Sequence, residues 1–323
     1  MISVKQLTKA YGPVLAVDRV SFDVPKGQVV GFLGPNGAGK STTLRMLTTL
    51  IPPTSGTARV AGHDVVRGQR EVRQRIGYIG QGNGAAHSQR GRDELISQGR
   101  SYGLPVRTAR TRAAELIESF GLTEVADRRV ATLSGGQRRR LDIAMGLIHE
   151  PEMLFLDEPS TGLDPQNRAN LQDHIMRLRA RHETTIVLTT HYLDEADSMA
   201  ERVIVVDHGR IIADDTPARL KAEHVGDKIT LGFDSESDAV GAASALARLD
   251  PVRYATELRI TTERAPRQVP GLLDDLRAAG HPAVEAEVTR PTLDDVFLKL
   301  TGRSLREGGA AQDDAGTKQL VEA

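Results

Sequence analysis

Three short runs in the first half of the chain carry the residue types that phosphate chemistry needs. The first is Gly34-Pro35-Asn36-Gly37-Ala38-Gly39-Lys40-Ser41, followed by Thr42. Its glycines let backbone N–H groups curl around phosphate oxygens without Cβ clashes. A helix opening at its end adds a positive dipole. Lys40 would reach the terminal phosphates of a nucleotide, and the Ser41 hydroxyl would ligate Mg²⁺. The second run, Met153-Leu154-Phe155-Leu156-Asp157-Glu158, sends four apolar residues through a core and delivers two carboxylates at its end. In that place Asp157 would hold Mg²⁺ through water and Glu158 would polarise an attacking water. The third, Leu133-Ser134-Gly135-Gly136-Gln137 followed by Arg138-Arg139-Arg140, reads locally as a serine N-cap before a Gly-Gly turn. It also reads as a second anion-binding nest at a helix start.

The elements around these runs must hold them at one place. Ile2–Leu7 and Val20–Val24 alternate apolar and polar residues, as half-buried antiparallel strands do. Val29–Leu33 is a continuous apolar run ending in glycine, and a helix is expected from Lys40 with Leu44, Leu47 and Leu50 on one face, stopped by Pro52-Pro53. Strand, glycine loop and helix give the P-loop its required context. The stretch 84–125 reads as helical with breaks at Leu104-Pro105 and Gly121, and Arg138–Ile148 as a further helix. Met153–Leu156 and Thr185–Thr189 read as buried strands, so a parallel sheet covered on both faces is expected. Val203–Asp207 and Gly209–Ala213 read as strand, tight turn and strand. Composition shifts near 222–228. Beyond it, Lys228–Phe233, Asp238–Leu249, Val252–Ala255, Leu258–Thr262, Pro266–Ala279 and Ala283–Val288 spell βαββαβ, the order of a small ferredoxin-like α+β domain. The hairpin is expected to turn at Thr256-Glu257, and Thr292–Thr301 to close the fold as a helix. The expected domains are therefore 1–222 and 228–303, with 304–323 disordered because that segment has little to bury.

Composition excludes some functions. The 323 residues include 42 Lys+Arg against 43 Asp+Glu, so charge gives no case for nucleic acid as the main partner. There is no cysteine, which excludes disulfides and thiolate metal sites. No apolar run approaches the roughly 18–20 residues needed to cross a bilayer. No signal-like apolar segment follows Met1, so the chain is expected to stay inside the cell, with any membrane role supplied by a partner.

Leu133–Gln137, placed between a P-loop and the strand carrying Asp157-Glu158, resembles the signature of ABC ATPases. The resemblance implies an α/β P-loop fold with an antiparallel β subdomain and a helical subdomain, ATP and Mg²⁺ as ligands, and ATP hydrolysis. It also implies roles for residues that would be unremarkable singly. Tyr11 resembles the aromatic that stacks on adenine, and Gln81 the glutamine that contacts Mg²⁺ and the attacking water. Ser160-Thr161-Gly162-Leu163-Asp164 resembles the D-loop, and His191 the histidine that senses the γ-phosphate. In that family the signature of one copy, here Ser134, Gly135, Gly136 and Gln137, covers the γ-phosphate held by the other copy's P-loop, so a homodimer is implied. The run from Val288 to Arg303, with Ile76-Gly77-Tyr78 before Gln81, resembles the daunorubicin/doxorubicin-resistance type ATP-binding proteins. That implies a separate integral-membrane ABC-2 type permease, a seat on the cytoplasmic face of the cell membrane, and export of hydrophobic drugs, antibiotics or lipids. A non-transport ABC protein acting on nucleic acid or ribosomes, and a transporter of sodium or polysaccharide, are the alternatives. The stretch from Gly82 to Leu95 departs from the family pattern, matching only at Arg92, an acid and Leu95.

Overall fold

The computed structural model describes residues 1–82, 84–86 and 88–304, except the side chains of residues 178 and 180–182. The expected tail therefore lies, beyond Ser304, outside the described residues. The chain divides into two compact units, Met1–Asp214 and Asp215–Ala323.

The first unit opens with β1 (Ile2–Tyr11), β2 (Val14–Val24), β3 (Val29–Leu33), α1 (Lys40–Leu47), β4 (Ser55–Val60), β5 (His63–Asp64), α2 (Gln69–Arg75) and β6 (Ile76–Ile79). It continues with α3 (Gly91–Ser101), α4 (Val106–Ser119), α5 (Gly135–Leu147), β7 (Met153–Asp157), α6 (Pro165–His182), β8 (Thr185–Thr190), α7 (Leu193–Met199), β9 (Arg202–Asp207) and β10 (Arg210–Asp215). One sheet has the order β2-β1-β4-β5 and its pairings are antiparallel. The other has the order β10-β9-β3-β8-β7-β6, with β9-β3-β8-β7-β6 running parallel.

Every residue of β3, β7 and β8 is buried, as expected of strands covered on both faces. The period of two sorts their side chains. Leu154 and Leu156 join the apolar cluster that also holds Leu141 and Leu147 of α5 and Leu116 of α4. Met153 and Phe155 join the opposite cluster with Leu44 of α1 and Ile2, Val4 and Leu7 of β1. The parallel strands therefore end together at one edge, where ligands bind in open α/β sheets.

Some expectations need correction. α1 stops at Leu47, before the two prolines, because Thr49 turns left-handed at φ 64°. Leu50 consequently leaves the apolar face and is exposed. Helix also begins later than residue 84, at Gly91. The β9–β10 turn uses His208 and Gly209, both at positive φ as two-residue hairpin loops require.

The second unit holds α8 (Pro217–His224), β11 (Asp227–Gly232), α9 (Glu236–Ala245), β12 (Val252–Tyr254), β13 (Glu257–Thr262), α10 (Ala265–Ala278), β14 (Glu285–Thr289) and α11 (Leu293–Thr301). Its antiparallel sheet has the order β12-β13-β11-β14, the split arrangement of a ferredoxin-like βαββαβ unit. The hairpin turns at Ala255-Thr256, since Ala255 takes φ 50° and Glu257 already pairs with Tyr254. Ile229, Leu231, Leu258 and Ile260 alternate onto one face under Ala239, Leu272 and Leu276. α11 packs against α8, burying Leu293, Val296 and Phe297, while Leu300 is only partly buried. The division between units thus falls ahead of α8, upstream of the composition shift near 222–228.

Candidate active site

β3 and α1 deliver the glycine loop to the sheet edge. Gly39 needs to be glycine: it sits at φ 101°, and a Cβ there would stand 2.4 Å from the Ala16 carbonyl oxygen. Lys40 opens α1 and is buried. Its Nζ donates to Gly34 O at 2.7 Å and Pro35 O at 3.0 Å and lies 3.9 Å from Glu158 Oε1. Burial pushes this ammonium below its usual range, and the carboxylates of Glu158 and Asp157 oppose the shift.

β7 ends on Asp157, which is fully buried. Ser41 Oγ and Thr189 Oγ1 each donate to Asp157 Oδ1 at 2.7 Å. Gln81, just after β6, places Nε2 3.4 Å from Ser41 Oγ. The next residue, Glu158, turns left-handed at φ 48°. That turn aims its N–H back at Thr189, to Oγ1 at 3.0 Å and to the carbonyl oxygen at 3.1 Å. Thr161 Oγ1 donates to Glu158 Oε2 at 3.2 Å, and His191 Nδ1 stands 3.5 Å from the same oxygen. The His191 ring holds the Glu158 carboxyl below its usual range against the opposing effect of burial, and Lys40 acts in the same direction as His191.

A cavity of about 440 Å³ opens on this edge, lined by Ala16, Asn36–Thr42, Gln81 and Glu158. The loop, Gln81 and Glu158 are therefore together, with Asp157 and His191 bonded to or beside them. The other sequence candidates lie off this lining. Tyr11, at the end of β1, is exposed, with Lys9 Nζ 5.1 Å from its ring centroid. Asp164 caps α6, its carboxylate accepting from Asn167 N at 2.9 Å; bonds from Asn167, backbone first, lower its pKa. Ser134 caps α5 in a full capping box with Gln137, and Ser134 and Gly135 are exposed.

Sequence reasoning missed Thr189, which clamps both acidic residues. Its signal was a hydroxyl near the end of a buried strand that leads to His191. It also missed Arg139 and Asp142, buried polar residues on α5.

The donor set fits a nucleotide with a hard cation. The cleft offers a lysine and glycine-loop backbone for phosphate. Beside them stand oxygen donors from Ser41, Asp157 and Gln81, and Mg²⁺ is bound through one or two carboxylates plus substrate phosphates.

Comparison with known proteins agrees with this geometry. A family model described as ABC transporter matches residues 17–161. The chain is 46% identical over 313 residues to the daunorubicin resistance ATP-binding protein DrrA3 of Streptomyces coeruleorubidus, covering 96% of this chain and 98% of that one. It is 42% identical over 333 residues to the daunorubicin/doxorubicin resistance ATP-binding protein DrrA of Streptomyces peucetius, covering 99% and 96%. A solved structure of cbiO1 from Clostridium perfringens, described as part of the ABC transporter complex cbiONQ, matches with a TM-score of 0.64 and 28% identity over 69% of this chain and 90% of that one. With relatives of this identity matched along nearly its whole length and a phosphate-binding edge built as described, the chain belongs to the ABC transporter ATP-binding proteins, in the group of the daunorubicin/doxorubicin-resistance ATPases.

Proposed function

We propose that this ATPase powers efflux of hydrophobic drugs, antibiotics or lipids through a separate ABC-2 type permease, working as a head-to-tail homodimer on the cytoplasmic face of the membrane. The observation that carries the catalytic part is the convergence of Lys40, Ser41, Gln81, Asp157 and Glu158 on one cleft. Lys40 and the loop N–H groups bind the β- and γ-phosphates. Ser41, Asp157 and Gln81 would hold Mg²⁺, which when bound offsets phosphate charge. Glu158, kept ionised by its neighbours, accepts a hydrogen bond from a water and orients it for attack. His191, 3.5 Å from Glu158, would report the γ-phosphate to it.

The dimer rests on where the signature lies. Ser134 and Gly135 are exposed at the start of α5 and do not line the cleft of their own chain, so a second copy is what would bring them to a γ-phosphate. No helix among the described residues is long and apolar enough to cross a membrane, and in this proposal the separate permease supplies the path for cargo. The cargo class follows the names of the relatives, which are drug-resistance proteins.

Glu158→Gln tests the catalytic core. It keeps the shape and removes the charge, so turnover should fall by ~10²-fold or more, the range for a lost general base. ATP binding should persist and the variant should collect as an ATP-bound dimer. Parental turnover in this variant would remove Glu158 from the mechanism.

A further inference from the structure

α5 carries two buried charged residues one turn apart, Arg139 and Asp142, which the mechanism above does not use. Among the described residues Arg139 makes no direct ion pair. Its guanidinium spends its donors on main-chain carbonyls: Nη1 to Gly80 O at 2.7 Å, Nε to Pro159 O at 2.7 Å, and Nη2 to Asp157 O and Glu158 O, both at 3.3 Å. Asp142 Oδ1 accepts from Gly84 N at 3.0 Å and Ala85 N at 3.1 Å. The two side chains therefore grip the loop that carries Gln81 on both sides of that glutamine. The same guanidinium also grips the backbone that presents Asp157 and Glu158.

We propose that Arg139 and Asp142 form a clasp through which the signature helix positions Gln81 and the Asp157-Glu158 turn for hydrolysis. Both are positioning residues. The first turn of α5 begins one residue after Ser134, so a displacement of the signature end of the helix is carried to Gln81 through side chains fixed to the same helix. The clasp costs stability: burial works against the Arg139 charge, offset first by Asp142, and pushes the Asp142 carboxyl up against its two backbone donors. A structural helix contact has no need of such groups, since apolar residues of similar volume are as stable or more so. Lysine cannot replace Arg139, because a single ammonium lacks the planar fork that reaches Gly80 and Pro159 together.

The proposal rests on Gln81 acting in hydrolysis, and its test keeps the two separable. In the full chain, Arg139→Lys and Asp142→Ala should each lower kcat by about 10- to 100-fold, as small misplacements of a reacting group do. KM for ATP should stay within about threefold, because the glycine loop is untouched. Asp142→Asn, which keeps an accepting oxygen, should recover most of the loss. Hydrogen exchange at the Gly84 and Ala85 amides should accelerate in Asp142→Ala. In a Gln81→Ala background, Asp142→Ala should cost less than about threefold further, because both act through one group. Parental kcat in Arg139→Lys and Asp142→Ala beside an impaired Gln81→Ala would overturn the clasp alone. An undiminished cost of Asp142→Ala in the Gln81→Ala background would also overturn it. Full turnover in Gln81→Ala by itself would overturn the role of Gln81, and the clasp with it. If Asp142→Ala does not fold, Arg139→Lys, which retains the buried charge, decides the matter by its kcat.

Discussion

The two units bury different things. Among the described residues, every buried polar or charged side chain lies in the first unit, including Lys40, Arg139, Asp142, Asp157 and Glu195. In the second unit the buried side chains are apolar throughout, from Leu220 to Phe297. Taking a charge out of water costs several kcal/mol unless it is paired or hydrogen-bonded. For Lys40 and Asp157 the first unit bears that cost at one sheet edge, where strands β3, β7 and β8 end and where low dielectric would strengthen an interaction with phosphate. The second unit has no such edge, and its sheet only needs a cover. The comparison teaches that substitutions in the first unit should register chiefly as lost rate, and those in the second chiefly as lost stability.

The strongest challenge to that division is Ser134→Arg. It sets bulk and charge on the exposed start of α5, so ATP binding by one copy should survive while hydrolysis is abolished. Mixed with Lys40→Ala copies, part of the activity should return, because one interface of the mixed pair carries both defects and the other is intact. Normal hydrolysis by Ser134→Arg alone, measured as phosphate release, would end the shared-site reading.

Phe297→Ala probes the other side. The ring is 1% exposed where α11 meets α8, so its removal should cost about 3–5 kcal/mol in the stability of the second unit. ATP affinity should not change. Denaturant melts read beside nucleotide titrations would break the comparison if affinity fell with stability.

The smallest effect is expected at Tyr11. As an adenine platform, its replacement by alanine should weaken ATP binding by about 1–3 kcal/mol, the range for base–aromatic stacking. Its exposed position makes folding indifferent to the change. Unchanged affinity by calorimetry would put the adenine elsewhere.

Legibility followed locality. The glycine loop, the Asp157-Glu158 strand end and the signature run are contiguous, so residue type and order within each carried the chemistry without any fold. The strands β3, β7 and β8 were equally plain, because each carries consecutive apolar residues, as a strand buried on both faces does. Where the helix after the loop stops was less plain: Thr49 ended it through its own backbone angle, which the Pro52-Pro53 pair downstream did not announce. The order of strands in the second unit's sheet could be guessed from βαββαβ alone, yet the exact turn at Ala255-Thr256 needed the pairing of Tyr254 with Glu257.

By itself the sequence determined the class of chemistry, since phosphate loops and acid pairs are short-range patterns whose physics is complete within a few residues. Only the tertiary structure decided which groups share a hydrogen bond. Thr189 meets Asp157 across 32 positions, and Arg139 meets Gly80 across 59. Such contacts depend on strand register and helix rotation, which fix the neighbours of a side chain to within an ångström. No spacing along the chain encodes that, because it is set by how the core packs.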